Sequence, residues 1–154
     1  MKRDFLQKFP DLSNWIENLV ISCRLKKHIV TLCHRIRWLD NIDSPDSSKR
    51  AAHERAAVNS VCQGSAADIA KLAMIKVEQS LMKQFGSNPP CSVVLQVHDE
   101  LLFEVERSSI RETILLIKEA METAYELSVP LPVNFQYGNS WGEMEPYDPS
   151  INSS

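Results

Sequence analysis

Hydrophobic positions fall at helical spacing along part of this chain and at β-like spacing along the rest. Over residues 10–26, Leu12, Trp15, Ile16, Leu19 and Cys23 recur at i, i+3, i+4, i+7 and beyond, the stripe of an amphipathic helix. Pro10 suits its first turn, and Lys26 and Lys27 suit the negative end of its dipole. Residues 28–32 and 36–42 are short, β-prone and separated by Cys33-His34-Arg35, which predicts a hairpin whose turn lacks Gly, Asn or Asp. Residues 43–48 are a loop by composition. Ala51, Ala52, Ala56, Ala57, Val58 and Val61 give residues 49–62 one apolar side. Gly64 then predicts a break, and Ser65 with Asp68 three residues on predicts a fresh cap for a second helix over 66–85. Ile69, Leu72, Met74, Ile75, Val77, Leu81 and Met82 make that helix apolar on more than one side, which marks it as buried and its methionines as core.

The last third of the chain reads differently. Two apolar segments, Cys91–Val97 and Leu101–Glu106, flank a polar tip, His98-Asp99-Glu100, as in a β-hairpin that lifts two carboxylates to the end of a sheet. Ser109 and Glu112 form a capping box for a helix with Ile110, Ile114, Ile117, Met121 and Tyr125 on one face, stopped by Pro130 and Pro132. Residues 131–137 alternate, with Val133, Phe135 and Tyr137 on one side of a half-buried strand. The order hairpin, helix, strand predicts an α+β class, an antiparallel sheet packed with helices.

Composition narrows the classes. A length of 154 residues allows one domain or part of a larger one. With 44% hydrophobic and 24% charged residues and no run of 18 apolar positions, the sequence predicts a globular chain with no membrane span. The first residues, from Met1, hold no apolar stretch of signal-peptide length. Four cysteines (Cys23, Cys33, Cys62, Cys91) show no CxxC pairing and suggest a reduced interior, and His28, Cys33 and His34 match no common zinc spacing. The net charge of −3 is uneven: residues 24–55 hold eight Lys/Arg against four Asp/Glu, whereas residues 98–154 hold three against eleven. Two solvated faces account for this, and so do a basic edge for phosphates and an acidic region around a metal.

Two constellations carry candidate chemistry. Asp99 and Glu100 are hard oxygen donors suited to Mg²⁺. As neighbours in a continuous strand they would point to opposite faces, whereas at a turn both can approach one site. By spacing alone such a tip is more often a solvated turn. Two-metal phosphoryl chemistry needs a further carboxylate from elsewhere to hold ions about 3.5–4 Å apart. The second constellation is Arg55, Asn59 and Gln63, at i, i+4 and i+8, a row of long hydrogen-bond donors on one helix face. Minor-groove acceptors occur on every base pair, so such a row can grip a duplex without reading its sequence; an ordinary exposed face is the alternative.

Together these segments resemble the C-terminal part of a family A DNA polymerase. The match is carried by Glu54-Arg-Ala-Ala-Val-Asn59, by Gln63-Gly-Ser-Ala-Ala-Asp-Ile69 with Lys71-Leu-Ala-Met-Ile75, and by Leu95-Gln-Val-His-Asp-Glu-Leu-Leu-Phe-Glu-Val105, from Phe5 to about Trp141 in all. The last resembles the family's third polymerase motif. Gln63-Gly-Ser and Gly138-Asn-Ser-Trp-Gly-Glu143 look closest to the eukaryotic theta/nu branch. The resemblance implies an incomplete polymerase domain: residues 1–85 adjoining the fingers, 86–145 a palm hairpin-helix-strand, and 146–154 a tail. It implies that Asp99 is a catalytic metal ligand with Glu100 as a secondary carboxylate, for a two-metal Mg²⁺ site in the complete enzyme. His98 would lie near the primer end, and Arg55, Asn59 and Gln63 would face the minor groove of primer–template DNA. Deoxynucleoside triphosphate would bind only in the complete enzyme, and the branch implies a nuclear role in DNA repair or replication, with an organellar one as the other possibility.

The departures are as informative. The family's first motif, with the other catalytic Asp, and the fingers helix that binds the incoming nucleotide are both absent, which implies a missing upstream polymerase half and no activity alone. The family's Gly-Arg-Arg turn is replaced by His34-Arg35-Ile36 and a usual Pro by Asp40. Losing the Gly is expected to change the turn's backbone, and losing the second Arg removes a phosphate contact. The competing reading is a non-catalytic truncated or degenerate product with at most weak duplex binding. A metal nuclease on the His-Asp-Glu tip ranks last, because it lacks the same ligands.

Overall fold

The structure is a computed structural model, and it describes residues 7–147. Residues 1–6 and 148–154, which include the expected chain start and most of the expected tail, lie outside the described residues. The chain divides into two compact units, one up to Asp68 and one from Ile69. Helices and small antiparallel sheets make up both, the α+β class expected.

In the first unit, α1 (Pro10–Lys26) has the predicted bounds, with Pro10 in its first turn and Lys27 ending it in the left-handed region at φ 60. Of its apolar stripe, Cys23 is fully buried, whereas Leu12 and Trp15 remain exposed. Strands β1 (His28–Val30) and β2 (Ile36–Trp38) pair antiparallel, with Ile29 opposite Arg37. They are shorter than predicted because a 3₁₀ turn, Asp40–Asp43, replaces the end of the second strand and inserts Ile42 into the core. Cys23, Ile29, Leu39, Ile42 and Ala57 form that core, with Leu19, Ala56 and Val61 against it.

Helix α2 (Ser47–Phe85) corrects the sequence reading. It runs 39 residues without a break at Gly64. Asp46 caps it, its Oδ1 accepting from the amides of Ser48 (2.8 Å) and Lys49 (3.3 Å). A mid-helix glycine costs about 1 kcal/mol against alanine. Here it serves a close approach: a Cβ on Gly64 would lie 2.7 Å from Thr31 Cγ2. Ser65 and Asp68 are correspondingly not caps. Both are buried, and both accept hydrogen bonds from the β1–β2 turn.

In the second unit, the rest of α2 ends at Gly86, which takes φ 75 and donates to the Met82 carbonyl. Strands β3 (Cys91–Val97) and β4 (Glu100–Val105) form the predicted hairpin. A short 3₁₀ turn (Arg107–Ser109) leads into α3 (Ile110–Glu122). The expected capping box is absent: Ser109 makes no side-chain cap, and Glu112 accepts instead from Gln84 Nε2 at 2.9 Å. Val77, Leu81, Cys91, Ile117 and Ala120 form this unit's core, joined by Phe85, Phe103, Val105 and Phe135. The strand predicted over 131–137 is confined to β5 (Phe135–Tyr137), which pairs with β6 (Glu145–Tyr147), so the start of the expected tail is strand. Gly138 is required there, since any Cβ would run into the Glu143 carbonyl. Among the described residues no helix is long and apolar enough to cross a membrane.

Candidate nucleic-acid and metal site

The acidic tip is built by the β3–β4 ladder. Val97 pairs with Glu100, leaving His98 and Asp99 as a two-residue connection. The first residue of such a connection needs a positive φ if the strands are to keep their right-handed twist. His98 supplies it at φ 52, the conformation glycine would adopt without strain. Glu100 is the first residue of β4 and not part of the turn. His98, Asp99 and Glu100 are all exposed. Among the described residues no ion pair or side-chain hydrogen bond reaches either carboxylate, and only Gln96 Nε2 touches the turn, at 3.4 Å from the His98 carbonyl.

A β-bulge at Val94 decides which residues surround this tip. Val93 pairs with Phe103 and Leu95 with Leu102, so Val94 has no partner. Residues two apart, which would ordinarily share a face, are thereby placed on opposite ones. Cys91 and Val93 face the core with Phe103 and Val105, whereas Leu95 and Val97 share the outer face with Glu100 and Leu102. The alternation of apolar residues in Cys91–Val97 does not reveal this.

The donor row is as expected in outline. Arg55, Asn59 and Gln63 are exposed along one side of α2 in the first unit, with Cys62 also exposed between turns. The carboxylate tip lies in the second unit, so the two constellations belong to different bodies. The local basic excess is partly neutralised within the fold. Arg24 pairs with Glu54, Lys27 with Asp43, and Arg35 with Asp68, while Arg37 donates to Ser60 Oγ at 2.7 Å. Among the described residues no ion pair reaches Lys26, Lys49 or Arg55, and these remain to meet an anion.

One group whose spacing suggests a cap is instead a buried, fully engaged carboxylate. The side chain of Asp68 is 3% exposed. Its Oδ1 accepts from Arg35 Nε at 2.5 Å and its Oδ2 from the Cys33 amide at 3.2 Å. The Thr31 hydroxyl, opposed by desolvation and aided by Arg35 and the Cys33 amide, holds its carboxyl below the ordinary aspartate range. In the turn above it His34 takes the left-handed region at φ 60, a conformation that glycine adopts without strain. The signal available in sequence was the i, i+4, i+8 series Ser60, Gly64, Asp68, which lies one residue on from the donor row.

For a metal, the donor set at the tip fits in part. Asp99 and Glu100 offer the hard, solvent-facing oxygens that Mg²⁺ prefers. Among the described residues no group of three or more His, Cys, Asp or Glu could hold an ion. The cysteines are free thiols; burial raises that of Cys23 and pushes that of Cys91 up to about 11, so both act as small core residues.

The comparisons with known proteins bear on this arrangement. DNA polymerase I of Bacillus caldotenax is 38% identical over 137 residues, 89% of this chain and 15% of that protein. The thermostable DNA polymerase I of Thermus thermophilus is 40% identical over 137 residues, again 89% of this chain and 16% of its own length. Among solved structures, the POL domain of Pol1 from M. smegmatis, in complex with DNA primer-template and dNTP, matches with a TM-score of 0.83 at 41% identity, over 91% of this chain and 24% of that one. The chain therefore spans about a sixth of the length of these curated relatives. All three are bacterial, and they lend no support to the theta/nu branch, which rested on two short motifs. The family model for DNA polymerase family A matches residues 1–143, and with it the ladder, the acidic tip and the donor row fall into one frame: this chain belongs to DNA polymerase family A.

Proposed function

We propose that this chain supplies one metal-binding carboxylate hairpin and the duplex-gripping helix of a DNA-directed DNA polymerase. The observation that carries the reading is the state of Asp99 and Glu100. Two carboxylates stand at the end of a rigid ladder with no cation or donor among the described residues to satisfy them. Other acids of the chain also face solvent without a partner; what sets this pair apart is its place side by side at the end of the ladder, where an ion from outside can reach it. Asp99, with Glu100 beside it, would hold Mg²⁺, which when bound neutralises developing phosphate charge and lowers the pKa of the attacking hydroxyl. Arg55, Asn59 and Gln63 donate to acceptors that every base pair presents in the minor groove, and so hold the primer–template without reading it. His98 sits at the tip toward the primer end. That a relative of 41% identity was solved with DNA primer-template and dNTP supports these partners.

Alone, the chain does not extend a primer, because one carboxylate pair cannot hold two ions and no nucleotide cradle is present among the described residues. The test is a chimaera in which this chain replaces the corresponding segment of the Thermus thermophilus polymerase. Extension with Mg²⁺ is expected, with Asp99→Ala lowering it by on the order of 10²–10³-fold. Extension indifferent to Asp99→Ala defeats the assignment, and Asp99-dependent extension by the isolated chain defeats the claim of inactivity. The competing reading, a non-catalytic product, draws on the exposed apolar side chains, Leu25 at 80% and Trp38 at 63% among them. An inactive chimaera together with weak, salt-insensitive duplex binding would favour it.

A further inference from the structure

The β1–β2 turn is fastened to α2 far more heavily than a surface loop requires. Thr31 and Arg35 close the turn on itself: the Thr31 amide donates to the Arg35 carbonyl (3.0 Å), the His34 amide to the Thr31 carbonyl (3.0 Å), and the Arg35 amide to Thr31 Oγ1 (3.2 Å). The closed turn then grips the helix at four successive places. Arg37 Nη1 reaches Ser60 Oγ at 2.7 Å, Arg35 Nη2 reaches the Gly64 carbonyl at 2.9 Å, the Leu32 amide reaches Ser65 Oγ at 3.0 Å, and Asp68 receives both Arg35 Nε and the Cys33 amide. Gly64 lets Thr31 come this close.

The gripped residues and the donor row are related by helix geometry. Ser60, Gly64 and Asp68 follow one another at i+4, and so do Arg55, Asn59 and Gln63. Asn59 and Ser60 are adjacent, as are Gln63 and Gly64, so the two rows lie about 100° apart around the same helix. A clamp on one row fixes the rotation of the other. Arg35 is the hub of that clamp, since its planar fork alone bridges a side-chain carboxylate and a backbone carbonyl one turn apart.

We propose that Arg35 is a positioning residue: by bridging Asp68 and the Gly64 carbonyl it locks the rotation of α2 so that Arg55, Asn59 and Gln63 meet duplex DNA as one row. The proposal rests on the duplex-gripping reading of that row. Its rival is that Arg35, half exposed, touches a DNA phosphate directly.

The full 154-residue chain is titrated with a fluorescently labelled primer–template duplex over a range of salt concentrations, as wild type, Arg35→Ala, Arg35→Lys, Asn59→Ala and the double variant Arg35→Ala/Asn59→Ala. Positioning predicts about tenfold weaker binding for Arg35→Ala, an unchanged salt slope, little further loss in the double variant beyond Asn59→Ala, and no rescue by Arg35→Lys, which keeps the charge and loses the fork. Rescue by lysine, additive losses, or a slope shallower by about 0.9 means a phosphate contact and overturns the proposal. A readout without DNA completes the test. Amide hydrogen exchange over residues 55–63 is expected to quicken about tenfold in Arg35→Ala and Arg35→Lys, each being judged on its own where the other is unfolded. Unchanged exchange removes the lock itself. Quickened exchange in a chain whose wild type binds no duplex removes the duplex reading, and with it the role of Arg35 toward DNA.

Discussion

Two hairpin turns of this protein solve the same backbone problem and then part company. The turn at Cys33–Arg35 and the turn at His98–Asp99 each place a histidine in the left-handed region, at φ 60 and φ 52. In the first, the nearby acid is answered: Asp68 is buried, ion-paired and hydrogen-bonded to the turn. In the second, two carboxylates face solvent with nothing to satisfy them among the described residues. The lesson is that an acid's surroundings reveal a structural role that its motif does not. Asp68 stands in a sequence as suggestive as that around Asp99, yet its charge is answered inside the fold.

That contrast can be broken from either side. The largest effect is expected at Gly64. Gly64→Val drives a branched side chain into Thr31 and should cost about 3 kcal/mol by urea denaturation, with Thr31→Ser, which removes the opposing methyl, recovering part of the loss. A midpoint unchanged by Gly64→Val would mean the turn is not packed on the helix. The next effect is a dependence on acid. The folded-state pKa of Asp68 is depressed, so its stabilising contribution is complete above the unfolded aspartate value of about 3.9 and is lost as pH falls below that value through the lower folded one. Urea midpoints measured downward from pH 6 should therefore fall less steeply in Asp68→Asn than in wild type. An identical acid limb in the two proteins would show that the carboxylate is not held as described.

The backbone effects are smaller and should be alike at both turns. A non-glycine residue in the left-handed region costs roughly 1 kcal/mol, so His34→Gly and His98→Gly should each raise thermal stability by up to about that amount. A gain at one turn alone would mark the other histidine as making a compensating contact. Smallest of all is the effect of Asp99→Ala and Glu100→Ala, both exposed, on folding: within about 0.5 kcal/mol by denaturant titration. A larger loss would return the tip to the structural side of the comparison.

Sequence patterns revealed the elements whose causes are local. Pro10 and the Leu12–Cys23 stripe bound α1 correctly, and the apolar runs around His98 placed the tip between strands. They failed where a distant residue decides. Gly64 looked like a stop because its partner, Thr31, is 33 residues away, and helix propensity lost to that tertiary contact. Ser65 and Asp68 fit a cap pattern, but they bind a turn from another part of the chain. The Ser109–Glu112 box gave way because a 3₁₀ turn already leads into the helix and Gln84 takes the glutamate. Of the candidate site, the donor row and the acidic tip could be read from spacing and alternation. The clamp of Arg35 could not, since it joins residues 33 positions apart.

The unpaired Val94 makes the length of one strand a control on chemistry that no substitution exercises. A bulge bends its strand and tightens the local twist. Excising that one residue leaves every pairing on both sides intact yet straightens the arm, so the acidic end would be re-aimed without a single atom of it being altered. In this hairpin, counting residues matters as much as naming them.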